Sequence, residues 1–306
     1  MVPCRDLIIP FTIIILSFSL SLPCDAKSLP DFAILSKIKG KIIAGSLNKM
    51  NEATNGMLLR KRNKIKTEKD GKATLFIKDG SEIRIFNNSE LIVGAKKSHN
   101  SRWMRYRIVL LTGSLWGNFV NEKKPIEISD GTLRLQFSES SIRFSKNKTG
   151  TNVSVLKGFV KVFNESSFIK LNGGQRLYQI KKNDFMPQKI SVIPNQLKLS
   201  LRPSETVFRG GNAIELNLNL QVVRYGSDRA VERPGPVHLW ANYYNLEMPD
   251  SIRLNTDGNA KAKIKVAPPS SEDRTFGGSV TFHAIIDQKG FDDVRDGTLK
   301  VRLRNH

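Results

Sequence analysis

Between Ile65 and Val93 the chain keeps a period of two. Ala73, Leu75 and Ile77 recur at every second position, and so do Ile83 and Ile85. Successive side chains of a strand point to opposite faces, so this spacing marks strands with one buried face. An α-helix would scatter the same residues around its circumference. Asp70-Gly71 and Asp79-Gly80 punctuate the runs, and Asp-Gly favours tight hairpin turns, whose central residues reach positive φ. The stretch predicts a β-meander with a single wet face.

The residues that set this pattern also carry a resemblance. Thr67, Asp70-Gly71, Ala73, Leu75, Ile77, Asp79-Gly80-Ser81, Ile83 and Ile85, followed by a serine and an apolar strand, resemble the core of the FecR-type domain of bacterial envelope proteins. Leu111 to Trp116 resembles the family's second glycine-led strand. Val153 to Val162 resembles a later strand pair, and Leu171-Asn172-Gly173-Gly174-Gln175 its closing motif. The resemblance covers about residues 34–180. It departs at Glu139-Ser140-Ser141-Ile142, where members often carry Gly-Thr. It implies a fold and an envelope setting, and says little of activity.

A short pattern, apolar-polar-Gly-x-apolar, recurs at Gly40, Gly113 and Gly158. The unequal intervals exclude a fixed-period repeat. Glycine inside a strand pattern marks a bulge or a close backbone approach. Three such points predict a sheet that curls on itself.

The N-terminus indicates export. Arg5 precedes an apolar run from Leu7 to Leu22, broken by Pro10, and Cys24-Asp25-Ala26 follows with small residues at the positions a signal peptidase needs. Residues 1–26 read as a signal peptide, with the mature chain starting at about Lys27 and a periplasmic or envelope location. Two alternatives are a retained anchor and a lipidated Cys24. The apolar run is short for a spanning helix, and Pro23 fits a lipidation site poorly. Cys4 and Cys24 both fall in this segment, so the mature protein is expected to hold no disulfide.

Charge is distributed unevenly. The chain carries +21 overall; residues 27–195 hold 32 basic and 13 acidic side chains (+19), and residues 196–306 hold 16 and 13 (+3). A field of that sign gathers polyanions without choosing among them. The candidate polyanion-binding residues are Arg60, Lys61, Arg62, Lys64, Lys96, Lys97, Arg102, Arg105 and Arg107. Trp103 and Tyr106 lie among them and are candidates to stack on a ligand.

After residue 180 the pattern changes. Residues 181–195, with Pro187 and Pro194, read as a linker. Residues 196–306 hold seven short alternating segments bounded by Gly, Pro, Asn or Asp, which indicates a β-sandwich. Thr256-Asp257-Gly258-Asn259-Ala260 resembles a turn of bacterial immunoglobulin-like repeats. The expected fold is therefore all-β: a curled antiparallel FecR-type domain (27–180), then an immunoglobulin-like sandwich (196–306). The two halves are expected to fold separately.

The motifs of common chemistries are missing. The four histidines sit near no nucleophile elbow, and the sequence holds no HExxH, no HxH, no phosphate loop and no dinucleotide fingerprint. Asp287, Asp292, Asp293 and Asp296 cluster in one loop; Lys289 and Arg295 can neutralise them, so a solvated hairpin is expected ahead of a calcium site. No catalytic residue, metal or cofactor is assigned. The expected function is that of a non-enzymatic exported envelope protein binding an anionic envelope polymer or an envelope protein. Peripheral membrane contact is possible on charge grounds, and no specific nucleic acid is expected. An envelope signalling subunit contacting a membrane partner is one alternative. A secreted glycan- or lipid-active enzyme is another. FecR-type signalling proteins place an anti-sigma domain ahead of a membrane helix; only six residues precede the apolar run here, so direct sigma-factor regulation is not expected.

Overall fold

A computed structural model describes residues 33–97, 104–120, 126–137, 139–165, 167–181, 185–202, 206–208, 212–243, 245–268 and 279–305. The signal-peptide and cleavage-site expectations lie outside the described residues. Among the described residues the chain is nearly all strand, the exception being a 3-10 turn at Pro187–Lys189. No helix among them is long and apolar enough to cross a membrane.

The first unit opens with β1 (Ala33–Lys39), β2 (Ile42–Ser46), β3 (Lys49–Glu52), β4 (Met57–Leu59) and β5 (Lys64–Thr67). It continues with β6 (Lys72–Ile77), β7 (Glu82–Ile85), β8 (Glu90–Lys97) and the long β9 (Met104–Phe119). Then come β10 (Ile126–Ser129), β11 (Arg134–Phe137), β12 (Ser140–Asn147) and the long β13 (Gly150–Phe163). It closes with β14 (Phe168–Asn172), β15 (Gln175–Ile180) and β16 (Ile190–Val192). These sixteen strands are joined in one network of ladders, curled around a core that includes Leu35, Leu75, Ile83, Leu110, Phe144 and Val162.

Glycine makes the curl. The first half of β9 pairs with β8 and its second half with β7 and β12. The change of partner falls at Gly113, whose φ is +96° and which presses on Ser89 so closely that a Cβ would lie 2.2 Å from its hydroxyl. The first half of β13 pairs with β12 and β15, and its second with β11 and β14. That change falls at Gly158, with φ +77° and a Cβ position 2.4 Å from the Glu139 carbonyl. Gly40, at φ +65°, sits between β1 and β2 against Asp70. The three glycines are thus close-approach points, as their sequence pattern indicates. The Glu139–Ile142 departure coincides with a register shift between Ser141 and Ile142.

The meander expectation holds only in part. β6 and β7 form a hairpin, Ala73 opposite Ile85 and Leu75 opposite Ile83, and Gly80 at its turn has φ +91°. The Asp70-Gly71 turn is different. β5 pairs with β2 and β8, whereas β6 pairs with β1 and β7. The chain therefore crosses at Asp70-Gly71 from one part of the curled sheet to another. Gly71 lacks positive φ; a Cβ there would lie 2.5 Å from the Lys41 carbonyl, so close backbone passage is what requires glycine.

The second unit holds β17 (Asn195–Arg202), β18 (Thr206–Phe208), β19 (Ile214–Arg224), β20 (Gly235–Ala241), β21 (Leu246–Glu247) and β22 (Ser251–Leu254). It ends with β23 (Asn259–Val266), β24 (Ser279–Ile286), β25 (Val294–Arg295) and β26 (Gly297–Asn305). They form two five-stranded sheets, β21-β23-β19-β17-β25 and β18-β26-β24-β20-β22. The alternating apolar residues of both sheets meet in a second core with Leu218, Val237, Ile264, Val280 and Phe282. Within the segment read as a linker, residues 190–193 are held against the first unit. β16 pairs with β15, Ile193 N–H donates to Gly174 O at 2.8 Å, and Ile193 is buried.

Candidate functional site

The loop from Asp287 to Asp296 is not a solvated hairpin. It is pressed into the polar face of the first unit and fixes how the two units meet. Lys72 Nζ donates to the Asp287 carbonyl, and Arg84 Nη1 lies 3.4 Å from Asp287 Oδ1. Arg143 donates to the Ile286 carbonyl at 2.6 Å. Ser145 Oγ donates to Asp292 Oδ2 at 3.0 Å, and Ser154 Oγ to the Asp292 carbonyl at 2.9 Å. Trp116 Nε1 donates to Asp296 Oδ2 at 2.9 Å. Arg295 donates to Gly174 O at 3.1 Å, and its guanidinium fills the space where a Cβ on Gly174 would stand. An apolar cluster of Phe86, Trp116 and Ile285, with Leu156 and Trp240 against it, closes the junction. Charged hydrogen bonds and shared apolar burial thus join the two halves across one extensive junction.

Burial sets the ionisation of the junction. Desolvation pushes the Asp296 carboxyl up to about 6, against the opposing pull of Arg143 and of the Trp116 and Ser141 hydrogen bonds. His238 is pushed down to about 4 by burial first, then by Arg84 and Lys37. His283 is also lowered, by burial and then Lys157. Trp240 stacks between these two histidines, at 5.3 Å from His238 and 5.1 Å from His283, and meets Trp116 edge-on at 6.0 Å. Both histidines are neutral at pH 7 and serve as aromatic spacers.

The basic residues singled out in the sequence are partly gathered. Arg62 N–H donates to Val93 O at 2.8 Å, Gly94 stands opposite Arg107, and Lys96 opposite Arg105. The 60–64 run, 96–97, 105 and 107 therefore share one end of the β5–β8–β9 ladder. Arg60, Lys61 and Arg62 are exposed. Lys64 is paired with Glu90 at 2.6 Å, and Arg107 with Glu127 at 3.1 Å. Arg102 and Trp103 lie outside the described residues, as do the side chains of Lys96, Lys97 and Arg105. Tyr106 is 8% exposed and packs in the first core, so its ring offers no face for stacking on a ligand.

A different surface interleaves cations with exposed rings. On β11, β13 and β14, Arg134 stands opposite Phe163, Phe163 opposite Phe168, Lys161 opposite Lys170, and Phe159 opposite Asn172. Arg134 lies over Phe163 at 4.9 Å, Lys170 over Phe159 at 4.7 Å and Lys161 over Phe168 at 5.9 Å. Phe159 is 42% exposed and Phe168 58%. The three strands hold no acidic residue, and β14 pairs with β13 alone among the described strands. The signal was legible in part: in Phe159-Val160-Lys161-Val162-Phe163 the valines take the buried positions, which leaves phenylalanine on the wet face. Among the described residues no group of His, Cys, Asp and Glu is placed to hold a metal ion.

Fold and surface together define an all-β protein of two interlocked units with an open cationic and aromatic face. Residues 63–161, from the start of β5 to most of β13, match the FecR protein family. No curated protein matches the chain. Among solved structures, a provisionally assigned anti-sigma factor from Parabacteroides distasonis aligns at 15% identity and a TM-score of 0.31. That alignment covers 37% of this chain and 52% of the other, so the chain spans about half the length of that neighbour. A glycosyl hydrolase family 2 member from Bacteroides cellulosilyticus aligns at 8% identity and a TM-score of 0.26, over 89% of this chain and 29% of the other. Likenesses this low carry no argument about activity.

Proposed function

We propose that this chain is a non-enzymatic envelope signalling subunit that contacts a membrane partner through its FecR-type unit. The observation that carries the reading is the FecR family match over residues 63–161. The matched strands include Phe159 and Lys161 of the open face and the residues that clamp the second unit, Lys72, Arg84, Trp116 and Arg143. A partner with acidic and apolar groups side by side suits that face. Its carboxylates would answer Arg134, Lys161 and Lys170, and its apolar groups would cover Phe159 and Phe168. Fully burying a phenylalanine contributes roughly 1.5–3 kcal/mol; Phe159 and Phe168 are already about half covered, so covering the rest of both contributes roughly 1.5–3 kcal/mol together. Because the junction is interlocked, a contact on the first unit bears on the second as well.

The second unit supports an immunoglobulin-like assignment by its strand order. β17, β19 and β23 share one sheet and β20, β24 and β26 the other, the arrangement of strands A, B, E and C, F, G in such sandwiches. β21 joins the first sheet before β22 joins the second, which departs from the usual order. Binding to an anionic polymer has less support, because Lys64 and Arg107 already answer carboxylates.

The test is association of the purified protein with native envelope membranes. Binding should be lost when the membranes are first treated with protease, and should weaken about tenfold in a Phe159→Ser/Phe168→Ser variant, the equivalent of about 1.4 kcal/mol. Equal binding to protein-free anionic vesicles would overturn the protein-partner reading.

A further inference from the structure

A cleft of about 300 Å³ opens where the units meet, lined by Lys37, Lys39, Lys72 and Arg84 from the first and by His238, Asp250, Ser251 and Asp287 from the second. Four cations face two carboxylates there. Lys72 and Arg84 both reach for Asp287, while Lys37 and Lys39 are exposed and have no carboxylate partner among the described residues.

Arg84 is the unusual member. It is 7% exposed, and burying a guanidinium is costly unless its donors are answered. Among the described residues its one side-chain hydrogen bond is the long contact to Asp287. Nε lies 3.3 Å from Glu82 Oε1, but at an angle that makes no hydrogen bond, and Nη2 is buried with no partner. A second irregularity adjoins it. β1 shifts register between Ser36 and Lys39, and Lys37 sits at φ 50°, a region non-glycine residues seldom occupy. Lys37 and Lys39, two positions apart, both line the cleft. Such local strain gathers at ligand sites.

We propose that this cleft binds a phosphate group, free or carried on a small polar molecule. The guanidinium fork suits tetrahedral oxyanions, which take paired N–H donors. Lys37 and Lys39 would close on the anion from the open side. The volume of about 300 Å³ suits a small molecule. His238 gives the site a built-in reporter. Its ring is held by a 2.8 Å contact from Nδ1 to the Asp250 carbonyl. Burial, Arg84 and Lys37 hold its pKa low, while Asp287 and the Asp250 bond act the other way. An anion between Lys37 and Arg84 would offset the two cations and raise it. The site does not depend on the partner contact, and either can fail without the other.

The experiment is an NMR titration of the His238 imidazole in the full mature chain. Inorganic phosphate and glycerol 3-phosphate are the probes, and chloride at matched ionic strength is the control. Saturable shifts are expected with the probes and not with chloride, together with a His238 pKa at least half a unit higher when saturated. Lys37→Met/Lys39→Met, both exposed sites, should weaken binding at least tenfold, and Lys61→Met should leave it unchanged. Equal affinities for the probes would assign the site to phosphate itself. Tighter binding of glycerol 3-phosphate would assign it to a carried group. No saturable shift, the same shift with chloride, or a double variant binding within twofold of wild type would overturn the proposal.

Discussion

Asp296→Asn separates the burial of one carboxyl from the rest of the junction. Asp296 accepts from Trp116 through Oδ2, and its Oδ1 is buried without a partner. Its folded pKa of about 6 stands above the ordinary 3.8, so the folded state binds this proton more tightly than the unfolded chain. Stability from this group therefore rises as pH falls through 6, and levels off below 3.8. The full span is about 2 units, or roughly 3 kcal/mol at 1.36 kcal/mol per unit. Between pH 7 and pH 5 the wild type should gain about 1.4 kcal/mol from Asp296 alone. Asparagine keeps an acceptor for Trp116 and cannot titrate, so the variant should lack that increment and match or exceed wild-type stability at pH 7. The assay is urea unfolding at both pH values, followed by tryptophan emission in a Trp103→Phe background, where Trp116 and Trp240 report on the junction. A variant with the wild-type pH dependence would refute the assignment of a raised pKa to Asp296.

Other expectations follow from the same geometry. Arg143→Met removes a charged donor to Ile286 O and the cation over Phe86, and should cost about 2–3 kcal/mol by calorimetry; a loss under about 0.5 kcal/mol would contradict the clamp. The same change removes an influence that lowers Asp296, so its pKa should rise further, which carboxyl-labelled NMR would detect. Gly113→Ala meets Ser89 at 2.2 Å at a φ of +96°, whereas Gly56→Ala, at φ +83°, meets nothing within 4 Å. The first should cost several kcal/mol and the second about 1 kcal/mol; equal losses in denaturant would show that Gly113 is not a packing point.

Much of the first unit was legible because its strands obey local rules. Leu75, Ile77, Ile83 and Ile85 are buried where alternation puts them; Gly113 and Gly158 are the points where long strands change partners, and Gly40 is the close approach to Asp70 between β1 and β2. The Asp70-Gly71 crossing was not legible, since an Asp-Gly step looks the same between paired strands and between sheets. The acidic loop was misread for a related reason. Its carboxylates look solvated until Arg84 and Arg143, distant in sequence, are brought beside them. Tyr106 shows the limit of composition, because a tyrosine among arginines is also a half-polar core residue when its strand faces inward. The Phe159–Phe163–Phe168 face needed the register of three strands, and only its central strand left a trace in the sequence.

The central claim, that the FecR-type unit meets a membrane partner through this face, is tested most directly by site-specific photo-crosslinking in native envelopes. The probe would be placed at Phe168 or, as a control, at exposed Lys198 of the second unit. The account predicts one discrete adduct with an integral membrane protein from position 168, weakened by Lys161→Glu/Lys170→Glu, and none from position 198. Equal adducts from both positions, or an adduct at 168 indifferent to those charge reversals, would contradict it.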